Sequence, residues 1–264
     1  MATVRSSSTG DRQIHLPRLA DVVADHIRER IITGELSEGD RLPRFDILLQ
    51  EFGVSAPSMR EALRILESEG LIAVRRGNTG GAVIHRPTHE TAAYTLALVL
   101  RSQGTNVGDL RQALAICERV CARLCARRAD RNKTVVSALR KFNETALALI
   151  DDESGFGRQM AGFHGALVRQ CGNETFTLVA GALESIFVDH VWGNATSPPT
   201  HGAYSTRESR LADLAVHEEI TDLIKAGEES RVEQLMIEHT AVKRNVTPEL
   251  AHQRINANSL RTNR

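Results

Sequence analysis

The sequence predicts a mainly α-helical protein in two parts: an N-terminal winged helix-turn-helix with a small β-hairpin wing, and an all-helical bundle behind it. Three observations predict this. Apolar residues recur at helical spacing through most of the 264 residues. One stretch, from Leu71 to His85, switches to two short strand-like runs around a glycine-rich turn. Aromatic residues make up only 4% of the chain, while Ala and Leu dominate its second half, a mix that favours helices over sheets.

Residues 1–15 are polar and lack the apolar segment of a signal peptide, so they read as a flexible N-terminal arm. The first domain is placed at 16–86. Leu19, Val23, Ile27 and Ile31 form a helical stripe from Pro17 to Thr33, stopped by Gly34. A short second helix runs from Phe45 to Phe52. Gly53-Val54-Ser55 is a tight turn, and Ser55 can cap a third helix that turns Met59, Ala62, Leu63 and Leu66 inward and ends at Gly70. Leu71 to Arg75 and Ala82 to His85 supply the wing strands around Arg76-Gly77-Asn78-Thr79-Gly80-Gly81.

A linker follows at 87–90, then a helical domain over 91–246. Helices are expected near 89–103, 107–129, 132–151, 156–171, 174–193, 206–226 and 229–246, punctuated by Gly104, Gly155, Gly172, Pro198-Pro199 and Gly227. Residues 247–264 read as a polar, fraying tail.

The formal net charge is zero, which excludes a polycation that coats nucleic acid. A local basic surface remains: from Ser55 to Arg86 there are five arginines (60, 64, 75, 76, 86) against three glutamates (61, 67, 69). Arg60 and Arg64 lie one turn apart on the outer face of the third helix, which can enter the major groove. Their planar forks suit guanine or phosphate. Ser55 and Ser58 can donate to phosphates beside the helix N-terminal amides. Arg76, Gly77 and Asn78 give the wing a tip that approaches the backbone closely. The competing reading, a solvated ion pair of Arg60 with Glu61 or Glu67, is outweighed by the whole arrangement.

No segment reaches the roughly 20 apolar residues of a membrane span. Cys117, Cys121 and Cys125 repeat at four-residue spacing, with Cys171 apart. They read as small buried residues of a reducing compartment and not as a metal set, which places the protein in the cytoplasm. His164, His217 and His239 each sit on the inward stripe of a separate helix. Brought together, three neutral imidazoles can bind Zn²⁺ or a similar divalent ion.

Leu19-Ala20-Asp21, Gly34-Glu35-Leu36, Gly39-Asp40-Arg41-Leu42-Pro43, Gly53-Val54-Ser55, Arg60-Glu61-Ala62-Leu63-Arg64 and Leu66-Glu67-Ser68-Glu69-Gly70-Leu71-Ile72 resemble the GntR-family DNA-binding domain over residues 17–86. The resemblance implies a homodimer on a short palindromic operator, usually as a repressor. Arg60, Arg76 and Gly77 match the family's contact positions. Asp46 and Ala56 stand where it usually has arginines, and Arg44 is the substitute for the first.

Phe163-His164, Gly172-Asn173, His217 and Met236 with His239 resemble the FCD domain of the FadR subfamily. That domain encloses an effector pocket, often with a metal held by one aspartate and three histidines. Here Met160 stands at the aspartate position, so a metal site and a metal-free, acyl-type pocket both stay open. By the same resemblance Arg111 faces the pocket and suits a carboxylate effector, a small organic acid; a surface pair with Asp109 is its alternative. His190 and Trp192 line the pocket or belong to the core. A helical metalloenzyme built on the three histidines is the rival from another class, and no general base, nucleophile pair or phosphate loop supports it.

Overall fold

The structure is a computed structural model that describes residues 18–75, 81–192, 206–242 and 248–255. It divides into two compact units, one ending at Pro87 and one beginning at Thr88. The N-terminal arm, the wing tip with Arg76, Gly77 and Asn78, residues 243–246 and the tail beyond Ile255 lie outside the described residues.

In the first unit α1 (Leu19–Ile32), α2 (Phe45–Phe52) and α3 (Ala56–Ser68) precede a hairpin of β1 (Ile72–Arg75) and β2 (Gly81–Ile84). The apolar stripe of α1 buries Val23, Ala24, Ile27 and Ile31 against Met59, Ala62 and Leu66 of α3. The strands pair antiparallel from Ile72 opposite Ile84 to Arg75 opposite Gly81. Residues 39–42 bond the other side of β2, through Gly39 N to Ile84 O at 3.0 Å and Leu42 N to Ala82 O at 2.9 Å. The second strand therefore has partners on both sides, and its alternation buries Ala82 and Ile84.

The second unit comprises α4 (His89–Ser102), α5 (Val107–Arg127), a π turn (Asn132–Val136) running into α6 (Ser137–Ala148), α7 (Glu153–Gln170), α8 (Glu174–Trp192), α9 (Arg207–Ala226), α10 (Glu229–Val242) and α11 (Pro248–Ala251). Helix α5 packs against α7, α8, α9 and α10. The π turn carries Val135 and Val136, both buried in the core. Two of the four linker positions, His89 and Glu90, already belong to α4.

The C-terminal segment differs from the frayed tail expected from its polarity. Val107 N bonds Gln253 O at 2.9 Å, Ile255 N bonds Thr105 O at 3.2 Å, and Asn106 pairs with Arg254 in an isolated bridge. Ile255, 1% exposed, fills a cluster with Ala93, Ala97, Leu110, Ala182 and Ile186. One apolar side chain and a pair of backbone bonds are enough to dock a segment that is otherwise polar.

Candidate functional site

The turn between α2 and α3 forms because Gly53 adopts φ +61°, a left-handed conformation that glycine takes without a Cβ penalty. Ser55 then caps α3, its hydroxyl accepting from Ser58 N at 3.4 Å and lying 3.0 Å from Ser58 Oγ. Of those two hydroxyl protons one is used internally and one remains for a phosphate. The start of α3 is a poorer anion site than the sequence suggests. Pro57 has no N–H and Ser58's is taken by the cap, which leaves the amides of Ser55 and Ala56.

Arg60 and Arg64 are both exposed on the outer face of α3, in different surroundings. Arg64 is clamped by Glu61, through Nε to Oε2 at 2.9 Å and NH2 to Oε1 at 2.5 Å. Arg60 pairs with neither Glu61 nor Glu67; its guanidinium carbon lies over the Phe45 ring, 5.5 Å from the centroid. Arg44, at the N-cap of α2, meets Asp46 at 3.4 Å, both side chains well exposed.

In the second unit α7 supplies His164, α9 supplies His217 and α10 supplies His239. Their inward spacing brings the three imidazoles together. His217 Nε2 lies 3.1 Å from His239 Nε2, which lies 3.3 Å from His164 Nε2. The Phe163 ring stacks on His217 with centroids 4.0 Å apart.

Two carboxylates stand behind this cluster. Glu118 Oε2, from α5, lies 3.4 Å from His164 Nδ1 and 3.1 Å from Arg111 NH1; Asp213 Oδ1, from α9, lies 3.7 Å from His239 Nδ1. Both imidazole contacts are electrostatic approaches and not aligned hydrogen bonds. Acceptors there favour the tautomers with hydrogen on Nδ1, which leave lone pairs on Nε2 facing the centre.

Burial alone would raise the Glu118 carboxyl, but the charges of His164 and Arg111 outweigh it and hold it down at about 2. Burial, then the neighbouring His164 and His239, pushes His217 well below the usual histidine range. Burial, and then His164, pushes His239 down to about 3. Imidazole lone pairs turned inward repel one another unless a proton or a cation lies between them.

The donor set fits a metal. Zinc–nitrogen bonds of about 2.0–2.1 Å set tetrahedral ligands roughly 3.3 Å apart, near the spacing found here. Among the described residues His164, His217 and His239 are the group able to hold a metal ion. Met160, one turn before His164, is 1% exposed and packs with Ala146, Ile150, Phe156 and Leu214, and its thioether is no substitute for a carboxylate. The cysteines remain free thiols, three of them buried.

Arg111 reaches into this neighbourhood, paired with Glu118 and not with Asp109, its guanidinium 5.7 Å from the Phe187 centroid. His190 is buried, and its Nε2 meets Gln253 Oε1 of the docked C-terminal segment at 3.3 Å. The side chain of Trp192 lies outside the described residues.

Sequence reasoning missed Glu118, Asp213 and Glu184. The first two sit on inward stripes, at Leu110-Leu114-Glu118-Ala122 and at Asp213-His217, where a charged residue at an apolar spacing was the available signal. Glu184 of α8 lies against Gly165 of α7, where a Cβ would overlap its Oε1. Burial raises its carboxyl to about 7 against the pull of Arg169.

A helix-turn-helix with an exposed arginine face and a hairpin, joined to a helical bundle with a polar, imidazole-lined centre, defines a DNA-binding transcriptional regulator. The family model for the bacterial regulatory proteins of the gntR family matches residues 19–80, and that for the FCD domain matches residues 109–242. The chain belongs to the GntR family, with the FadR-type arrangement of an N-terminal helix-turn-helix and a C-terminal FCD domain. It is a regulator and not an enzyme.

It is 28% identical over 233 residues to the RmpR protein of Mycobacterium gastri, covering 86% of this chain and 78% of that one. It is 29% identical over 175 residues to the HTH-type transcriptional repressor NanR of Klebsiella aerogenes, where the match spans 65% of this chain and 66% of the repressor. The solved Streptococcus agalactiae GntR structure shares the fold, with a TM-score of 0.61 at 18% identity over 84% of this chain and 97% of that one.

Proposed function

We propose that the protein is a cytoplasmic repressor that binds a palindromic operator as a homodimer and changes its grip when a small organic acid enters the FCD domain. The observation that carries the effector reading is the convergence of three imidazole Nε2 atoms at 3.1 and 3.3 Å. His164, His217 and His239 would hold one divalent ion, zinc or similar, which would supply a fixed positive anchor for an oxyanion. The ion's two charges and that of Arg111 exceed those of Glu118 and Asp213, so the centre favours an anionic ligand. An acid that prefers one arrangement of the bundle shifts operator affinity by linkage.

Arg44, Ser55, Ser58, Arg60 and Arg64 form the described part of the DNA-facing set, and Arg76, Gly77 and Asn78 complete it on the wing. Relatives named as repressors support the sign of regulation. Among the described residues no helix is long and apolar enough to cross a membrane, which is compatible with a cytoplasmic site of action. A second reading, a metal-free pocket for a larger acyl-type ligand, is favoured by the apolar packing of Met160.

The test combines operator selection from random DNA, metal analysis of the purified protein, and operator binding with small acids and acyl-CoAs added. No preference over random DNA at moderate salt sinks the operator reading. An operator that no acid affects sinks the effector reading, and metal-free protein that answers to acyl compounds favours the second. Arg60→Ala is expected to weaken operator binding by about 1–3 kcal/mol through loss of a base contact.

A further inference from the structure

Three arginines of the proposed DNA face have described side chains, and they differ in what they already hold. Arg64 gives Nε–H and one NH2 hydrogen to Glu61. Arg44 sits 3.4 Å from Asp46. Among the described residues no carboxylate pairs with Arg60, whose contact is the Phe45 ring, 5.5 Å from the centroid. An aromatic face attracts the guanidinium without taking its hydrogen-bond donors, so all five N–H groups of Arg60 stay available. Phe45, the first residue of α2, is itself half-buried and packed against the core of the first unit, which gives it a fixed place. The chain thus sets one arginine on a firm platform and neutralises its neighbours.

We propose that Phe45 is a positioning residue for DNA recognition: it holds Arg60 ready to read a single guanine in each half-operator, and Arg60 carries the sequence preference of α3. This rests on the reading that α3 enters the major groove. A bidentate contact to guanine O6 and N7 needs two donors at fixed spacing. A guanidinium already held on a ring loses less side-chain freedom on making that contact. Arg64, clamped by Glu61, adds phosphate contact and not base preference.

The test uses the full chain and an operator selected by the wild type, with each base pair substituted in turn and binding read by fluorescence anisotropy. Arg60→Ala should lower operator affinity by about 5- to 150-fold for each half-operator and erase the preference at its one guanine. Phe45→Leu should lower discrimination at that same guanine by about 2- to 5-fold and leave affinity for random DNA and the salt slope unchanged. Phe45→Tyr and Phe45→Trp should retain discrimination, and thermal melting checks that each variant is folded.

In an Arg60→Ala background, Phe45→Leu should have no further effect on base preference. An equal effect of Phe45→Leu with and without Arg60 overturns the proposal, because Phe45 would then serve packing alone. Equal losses on operator and random DNA overturn it as well. If Arg60→Ala leaves every base preference intact, the reading of α3 itself fails along with the proposal, a pattern distinct from the other two.

Discussion

His239→Gln should change how the stability of this protein depends on pH. In the metal-free fold His239 titrates near pH 3, against 6.5 for an ordinary histidine. Between those values the unfolded chain binds the extra proton, so the contribution is whole above about pH 6.5 and falls away as acid is added. From pH 7.5 to pH 5 the loss is about 2 kcal/mol. His217 is shifted in the same direction and adds to it. Glu184 opposes both: its carboxyl titrates near 7 in the fold, against 4.5 ordinarily, so the fold takes up that proton first. Over the same range it gains about 2 kcal/mol.

The wild-type profile is therefore a difference of opposing parts, and variants are needed to separate them. Urea denaturation of chelator-treated protein, followed by helical circular dichroism at both pH values, reads the stability. Relative to wild type, His239→Gln should lose about 2 kcal/mol less between pH 7.5 and pH 5, and Glu184→Gln about 2 kcal/mol more. Identical losses in wild type and His239→Gln would mean that the imidazole is not held neutral. The argument from inward lone pairs would then fall.

Glu118→Gln should weaken zinc binding by about 10- to 100-fold in competition with a chelating dye, because it removes the carboxylate behind His164; unchanged affinity would count against that support. Ile255→Ala should destabilise the helical domain by about 2–5 kcal/mol in the same urea assay, the cost of emptying a buried site. A loss within about 0.5 kcal/mol, the range of ordinary surface substitutions, would mean that the segment is not docked. Gly165→Ala should force Glu184 from its slot, so the variant should melt lower at pH 7.5 and lose the stabilisation that Glu184 gives in acid; an unaltered acid profile would refute that placement.

The helices were legible because their signals are local. Phe45–Phe52 is bounded in the sequence by Pro43 and Gly53, and the structure keeps those bounds. Ser55 announced α3, and it caps it. The inward histidines were legible from spacing, and resemblance grouped them. What could not be read was the company they keep. Glu118 and Asp213 become partners of His164 and His239 only through packing between helices, which no periodicity within one helix reports. Arg60 was weighed against Glu61 and Glu67, its neighbours along α3, whereas its partner Phe45 comes from another helix. The docking of Ile255 escaped notice for the same reason: a single apolar residue in a polar run makes no pattern.

The ion pairs of Arg44 with Asp46 and Arg64 with Glu61 bear on how this regulator moves over a chromosome. An arginine already paired with one of the protein's own carboxylates would release fewer counterions on meeting a phosphate, so a salt slope shallower than the arginine count implies is the expected outcome on random sequence. The zero formal charge of the chain adds no net attraction beyond its local basic surface, and α3 begins with two amides to spare for phosphate where four are usual. A regulator built in this way would gain occupancy at its operator by leaving wrong sites quickly, the ratio of right to wrong binding then mattering more than tightness on either.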